Sequence, residues 1–166
     1  MSLQWDKTFI EIAEKISCHS TCAKVQVGAV MSIDNRIISI GYNGVPAGET
    51  HCNELFDSNE FMFHPGEDTE TEEQLNRIEK YKQQHTDFQK KHEIHAEANC
   101  LLYAARKGVK TEGATIYCTM SPCNDCSKLI IAAGIKRVVY KDLYDKEIEG
   151  LNLMKNCGLE VMKIKE

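Results

Sequence analysis

The run Thr115-Ile116-Tyr117-Cys118-Thr119-Met120-Ser121-Pro122-Cys123-Asn124-Asp125-Cys126, followed after Gly134 by Arg137-Val138-Val139-Tyr140, decides the fold of this chain. Thr115 to Cys118 and Arg137 to Tyr140 are short β-branched and aromatic runs, the pattern of strands. Between them, Ser121 suits a helix N-cap and Pro122 the first helical position, where its missing N–H costs nothing and its φ is already helical. Strand, helix, strand at this spacing is a βαβ unit with a right-handed crossover, so the sheet contains parallel strands.

Toward the C-terminus, a helix near residues 146–156, ending by Gly158, and a last strand near 159–164 continue the alternation. Toward the N-terminus, an amphipathic helix opens at His95 and Glu97, runs through Ala98, Leu101, Leu102 and Ala105, and ends at Gly108. Residues 3–17 place Leu3, Trp5, Phe9, Ile12, Ala13 and Ile16 at near-helical spacing. Val25 to Ile33 and Arg36 to Tyr42 are β-rich runs separated by Asp34-Asn35, which predicts a hairpin. The expected fold class is α/β, a three-layer α/β/α sandwich around a mixed five-stranded sheet. Between Pro46 and Lys91 clear periodicity is lost, around Phe56, Phe61, Met62, Phe63 and an acidic run from Glu67 to Glu73 that reads as a solvated face. Helix is expected there only around Thr71 to Phe88, where Leu75, Ile78, Tyr81 and Lys82 fall near one face. The expectation is one domain over 1–166 with an insert at about 47–92, long enough to be functional or partly disordered.

At 166 residues the chain can bury a real core. Its net charge of −5 and the absence of a Lys/Arg run argue against a nucleic acid polymer and for a small-molecule substrate. No stretch approaches the ~18 apolar residues of a membrane helix, and Met1-Ser2-Leu3-Gln4-Trp5-Asp6 lacks the basic and apolar regions of a signal peptide. A soluble, cytoplasmic protein with no membrane partner is expected. In that compartment Cys18, Cys22, Cys52, Cys100, Cys118, Cys123, Cys126 and Cys157 read as metal ligands and buried thiols, not disulfides.

The chemistry is concentrated in His95-Ala96-Glu97 and Pro122-Cys123-Asn124-Asp125-Cys126. These supply one nitrogen ligand, two sulfur ligands and a spare carboxylate. A structural zinc closes its tetrahedron with four protein ligands, whereas a catalytic one takes three and keeps a corner for water. Two thiolates and a neutral imidazole leave a Zn²⁺ site near neutral, so the ion still polarises what it binds at that corner. Glu97 is then free to move protons. H-x-E…P-C-x-x-C is the signature of zinc nucleobase deaminases, in which the glutamate is the general acid/base and not a ligand.

Together with Val27-Gly28-Ala29-Val30 and Gly41-Tyr42-Asn43-Gly44-Val45-Pro46-Ala47-Gly48, these stretches closely resemble the phage-type deoxycytidylate (dCMP) deaminases of the cytidine deaminase superfamily. The superfamily shares the zinc half, and G-Y-N-G-x-P is more specific to the dCMP branch. The resemblance implies the cytidine deaminase-like fold and hydrolysis of dCMP to dUMP and ammonia, feeding thymidylate synthesis. It implies Glu97 as proton shuttle, His95, Cys123 and Cys126 on the catalytic zinc, and Asn43, Ala96, Tyr103, Arg106, Ser121 and Tyr144 around the substrate. Asn43 would hold sugar and base, and Tyr144 would lie near the phosphate. For Tyr103 packing and for Arg106 capping of the helix C-terminus remain as alternatives.

A structural zinc is also implied, on Cys22, Cys52, His85 and Glu93, with His92 an adjacent candidate on chemistry alone. Such an ion would pin the long insert onto the core, which otherwise lacks hydrophobic anchorage. Regulation by dCTP with Mg²⁺ (activating) and by dTTP (inhibiting), in a homo-hexamer, is implied as well. The triphosphate site is expected at Tyr42, Asn43, Gly44, Val45, Pro46, Gly48 and Glu49, where glycines at 41, 44 and 48 would let the backbone approach a ligand and Pro46 would stiffen the loop. The chain departs from many family members in carrying His19-Ser20-Thr21-Cys22 where they have Arg-Ser-Thr-Cys, so any anion-binding role for that group is weakened. If phage-encoded, the enzyme would act in the host cytoplasm.

Two rival readings share the metal site. A tRNA adenosine or guanine deaminase is disfavoured, for tRNA, by the acidic charge balance, and a non-catalytic zinc module has no use for Glu97.

Overall fold

The structure, a computed structural model, describes residues 3–61, 72–144 and 148–165. Met62, Phe63 and most of the acidic run lie outside the described residues. Contacts divide the chain into two compact units, one made of Met1–Ser20, Gln26–Asn43 and His95–Glu166, the other of Thr21–Val25 and Gly44–Ile94.

The first unit holds the sheet. Helix α1 (Leu3–Ser17) leads into strands β1 (Gly28–Ile33) and β2 (Arg36–Tyr42), a hairpin whose turn residues Asp34 and Asn35 take φ of 50° and 58°. Paired positive φ values are what a two-residue type I′ turn requires, and Asx residues tolerate them best. β1 starts at Gly28, later than the expected Val25, and the Val27 N–H goes to the Asn43 side chain. Helix α4 (Ala96–Arg106), strand β3 (Thr115–Met120), helix α5 (Asn124–Ala132), strand β4 (Arg137–Asp142), helix α6 (Glu149–Asn156) and strand β5 (Glu160–Lys163) follow. The five strands lie in the order β2-β1-β3-β4-β5, with β1 antiparallel to both neighbours and β3, β4 and β5 mutually parallel. The sheet is mixed, as expected.

Side-chain alternation along the strands makes the layers. Ala29, Met31, Ile116, Cys118 and Val138 point into a core shared with α4, α5 and α6, while their neighbours Val30, Tyr117 and Val139 pack with Phe9, Ile10 and Ala13 of α1. Close approach is set by two glycines: a Cβ on Gly28 would lie 2.0 Å from the Ala13 carbonyl oxygen, and one on Gly41 would lie 2.3 Å from that of Ala96. On the α1 side, Arg137 makes a paired contact to Asp6 (Nη1–Oδ1 2.6 Å, Nη2–Oδ2 2.8 Å), and Tyr117 donates to Asp6 Oδ1 at 3.1 Å. Burial would raise the Asp6 carboxyl, but the hydrogen bonds and charge of Arg137 outweigh it and hold it below its ordinary value.

The second unit is more ordered than the sequence suggests. It contains helix α2 (Cys52–Leu55), a 3-10 turn (Ser58–Phe61) and helix α3 (Glu72–His92), a 21-residue helix where a shorter one was expected. Helix-forming Glu, Gln and Lys build α3, but its inward face is His85, Phe88, Gln89 and Tyr81 in place of an aliphatic stripe. Phe56 packs among Tyr81, His85 and Phe88 at ring distances of 5.5, 5.0 and 5.6 Å. The insert thus has an aromatic cluster of its own. Among the described residues no helix is long and apolar enough to cross a membrane.

Candidate active site and metal centres

Two helix starts converge in the first unit. His95 is the N-cap of α4, and Cys123, not Ser121, is the N-cap of α5, its sulfur accepting from the Cys126 backbone N–H at 3.4 Å. The cysteine helix therefore begins later than the sequence suggests, and Pro122 precedes it. Ser121 is buried and tied to the end of β4: its N–H donates to the Asp142 carbonyl and its hydroxyl accepts from the Tyr144 N–H, both at 2.8 Å.

Cys123 Sγ and Cys126 Sγ lie 3.4 and 3.5 Å from His95 Nδ1, and all three ligand atoms fall within 4.8 Å of one another. Zinc–sulfur and zinc–nitrogen bonds of about 2.3 and 2.05 Å at a tetrahedral angle separate S from N by roughly 3.6 Å. The donors present thus fit a zinc ion. The two sulfurs divide one proton: Cys123 is drawn down to about 4, first by its hydrogen bond with the Cys126 thiol, while that same contact and burial push Cys126 up. A dication replaces that proton and stabilises both thiolates.

Glu97, in the first turn of α4, is 4% exposed. Burial pushes its carboxyl up, against its own backbone amide and His95, which pull it down. The buried thiols Cys100 and Cys118 lie around it, Cys100 pushed up to about 12 and Cys118 also raised, each first by burial and in part by the charge of Glu97. A carboxylate screened from bulk water, beside three metal donors, can pass protons without competition from solvent.

The other expected residues divide into groups. Asn43 is buried, with Oδ1 accepting from the Val27 N–H at 2.8 Å, so the acceptor end of its amide is fixed by backbone. Ala96 is fully buried against Gly41. Tyr103 and Arg106 are exposed and lie six and nine residues after Glu97 on α4, which at about 100° per residue puts them on the face away from it. Tyr42 is exposed, and its carbonyl accepts from Asn99 Nδ2 at 2.9 Å, a tie between β2 and α4 that no sequence motif signals.

Gly44, Val45, Pro46, Gly48 and Glu49 fall in the second unit, where Gly44 pairs with Ile94 and the Glu49 N–H closes a turn onto Pro46. Gly41 admits α4, and Gly48 takes a φ of 97° with open space around it.

The second unit gathers Cys22, Cys52, His85 and Glu93, whose ligand atoms also lie within 4.8 Å of one another. His92 instead stacks on Phe88, ring centroids 4.8 Å apart. Burial pushes Cys52 up to about 12, raises Cys22, and lowers His85, which favours its neutral imidazole. Glu93 Oε1 is buried without a hydrogen-bond partner among the described residues. Four ligands gathered together, one of them carrying a buried oxygen with no hydrogen-bond partner, fit a closed, structural metal site. All four belong to one unit, so an ion would tie α2, α3 and Thr21–Val25 to one another.

The family model for the cytidine and deoxycytidylate deaminase zinc-binding region matches residues 3–142. The deoxycytidylate deaminase of Enterobacteria phage T2 is 38% identical over 170 residues, covering 95% of this chain and 90% of that protein. That of Saccharomyces cerevisiae is 33% identical over 161 residues, covering 97% of this chain and 45% of the yeast protein. A crystal structure of the dCMP deaminase from the cyanophage S-TIM5 in complex with dCMP and dUMP is 28% identical, covers 98% of both chains and superposes with a TM-score of 0.71. Ligand geometry, a buried glutamate and likeness along nearly the whole length agree: the chain belongs to the cytidine and deoxycytidylate deaminase family and is a deaminase, an enzyme of the hydrolase class.

Proposed function

We propose that this deaminase hydrolyses dCMP to dUMP and ammonia, supplying dUMP for thymidylate synthesis. The observation that carries the reading from deaminases in general to dCMP is the full-length likeness to phage deoxycytidylate deaminases. Held by His95, Cys123 and Cys126, a zinc ion would supply Lewis acidity to activate water for addition to the amidine carbon of the base. Glu97 accepts a proton from the water and delivers it to the ring nitrogen, then accepts the second proton, from the hydroxyl added to the base, and passes it to the amine as it leaves. Asn43, fixed through Val27, Ala96, Ser121 and Tyr144 orient the nucleotide, whereas the part of Tyr103 and Arg106, exposed on the face of α4 away from Glu97, rests on the resemblance alone.

We further read the chain as one functional domain over 1–166 with an insert at about 47–92, which Cys22, Cys52, His85 and Glu93 stiffen around a second zinc. Its homo-hexameric assembly is supported by exposed apolar side chains, Leu102 and Tyr103 on α4 and Ile37 and Ile40 on the edge strand β2. Activation by dCTP with Mg²⁺ and inhibition by dTTP rest on the resemblance of residues 41–49. The site of action is the cytoplasm, that of the host if a phage encodes the chain. Incubation with dCMP, dCTP, cytidine, adenosine and guanine tests the substrate: preferential loss of ammonia from dCMP is expected, and preference for adenosine or guanine would overturn the reading. Sigmoidal dCMP kinetics that become hyperbolic with dCTP are expected for the regulation; hyperbolic curves unmoved by either triphosphate, without triphosphate binding in calorimetry, would remove it.

A further inference from the structure

The second metal centre differs from the first in charge. Two thiolates, a carboxylate and a neutral imidazole around Zn²⁺ leave a net −1, and Cys22, Cys52 and His85 are all buried. A negative site shielded from water needs neutral hydrogen-bond donors around its ligands, because solvent cannot supply them. Backbone supplies some: the Ala23 N–H donates to Cys52 Sγ at 3.4 Å, and the Lys24 and Val25 amides face Cys22. One side chain serves two ligands at once. Gln89 Nε2 lies 3.2 Å from Cys22 Sγ and 3.2 Å from Glu93 Oε2, so both protons of its amide go to anionic ligands.

The helix makes this possible. His85, Gln89 and Glu93 are spaced by four, and the Glu93 N–H bonds the Gln89 carbonyl at 3.0 Å, which continues the turn past the end of α3. Ligand, donor and ligand thus stand in one row on one face. The amide orientation follows from charge, since its oxygen would repel both partners.

We propose that Gln89 is the positioning residue of the second metal centre, holding Cys22 and Glu93 in ligating geometry and offsetting their charge with its two amide protons. This rests on the reading of Cys22, Cys52, His85 and Glu93 as a metal site. Gln89→Met keeps length without donors, and Gln89→Glu puts an acceptor in the same place. Removal of a partner that orients a ligand typically costs about 10–100-fold in metal affinity.

The test uses the full chain loaded with two zinc ions and titrated with a chromophoric chelator. Gln89→Met should release the second ion about 10–100-fold more readily than wild type, and Gln89→Glu more readily still. Retention of the ion at His95, Cys123 and Cys126 and of dCMP turnover reports that each variant is folded. With Co²⁺ at the second site, the thiolate-to-metal charge-transfer band should shift in Gln89→Met, because Cys22 loses a donor. Wild-type zinc retention in both variants, with an unshifted cobalt band, would overturn the role of Gln89. Wild-type protein that holds one zinc ion only would overturn the metal site itself, and Gln89's role with it.

Discussion

Gly41→Ala tests how the sheet sets the position of Glu97. A Cβ at position 41 would stand 2.3 Å from the Ala96 carbonyl oxygen, 2.5 Å from Cys100 N and 2.9 Å from Cys100 Cα, where ordinary contact starts near 3.4 Å. Every obstructing atom is backbone of α4, so no side chain can rotate away. Relief requires β2 and α4 to part by about 1 Å, and overpacking of a filled core costs typically 1–3 kcal/mol. With rigid backbone on both sides we expect about 2–3 kcal/mol, which for a chain of this size lowers Tm by roughly 4–12 °C. The displaced turn carries Glu97, and a misplacement of about 1 Å typically costs ~10²-fold in rate.

Thermal melts, zinc analysis and dCMP turnover at 20 °C below the variant's midpoint separate the two losses. Gly158→Ala is the control: it sits at a φ of 86° with nothing within 4 Å, so it should lose roughly 1–2 kcal/mol and keep full turnover. Gly41→Ala with wild-type turnover while folded would refute the idea that this contact places the proton shuttle.

Glu97→Gln should keep its zinc and lose turnover by ~10²–10⁴-fold, measured as ammonia release against metal content. Cys123→Ala or His95→Ala should lose the catalytic ion together with activity, whereas Cys22→Ala should lose only the other ion and lower Tm, so metal stoichiometry read beside melts distinguishes them. Asp6→Asn should destabilise by about 3 kcal/mol at pH 7, because it strips Arg137 of its buried carboxylate and leaves exposed Glu160 as its anionic partner among the described residues. The acid limb of denaturant stability against pH checks the sign. A carboxyl held below its unfolded value of about 3.9 contributes fully above that pH and loses its contribution as pH falls through the lower folded value, so Asp6→Asn should show a shallower acid decline than wild type.

The sequence by itself determined the elements whose local chemistry is self-sufficient. Asp34-Asn35 specifies the hairpin because those residues accept positive φ, and the unbroken β-branched and aromatic runs of Thr115 to Cys118 and Arg137 to Tyr140 specify strands, which the fold buries on two faces. The spacing of His95, Glu97, Cys123 and Cys126 specified zinc chemistry because the ligand types and the unligated acid allow few other uses. Tertiary structure decided what depends on distant partners. The N-cap of α5 moved from Ser121 to Cys123, since a cysteine sulfur took the capping bond while the Ser121 hydroxyl accepted from Tyr144, 23 residues away. The length of α3 was hidden because its inward face is aromatic and polar, and gains its meaning only against Phe56, Cys22 and Cys52. Gly41 reads equally well as a flexible hinge or as a contact point, and only the approach of α4 to within bonding reach of its missing side chain tells the two apart.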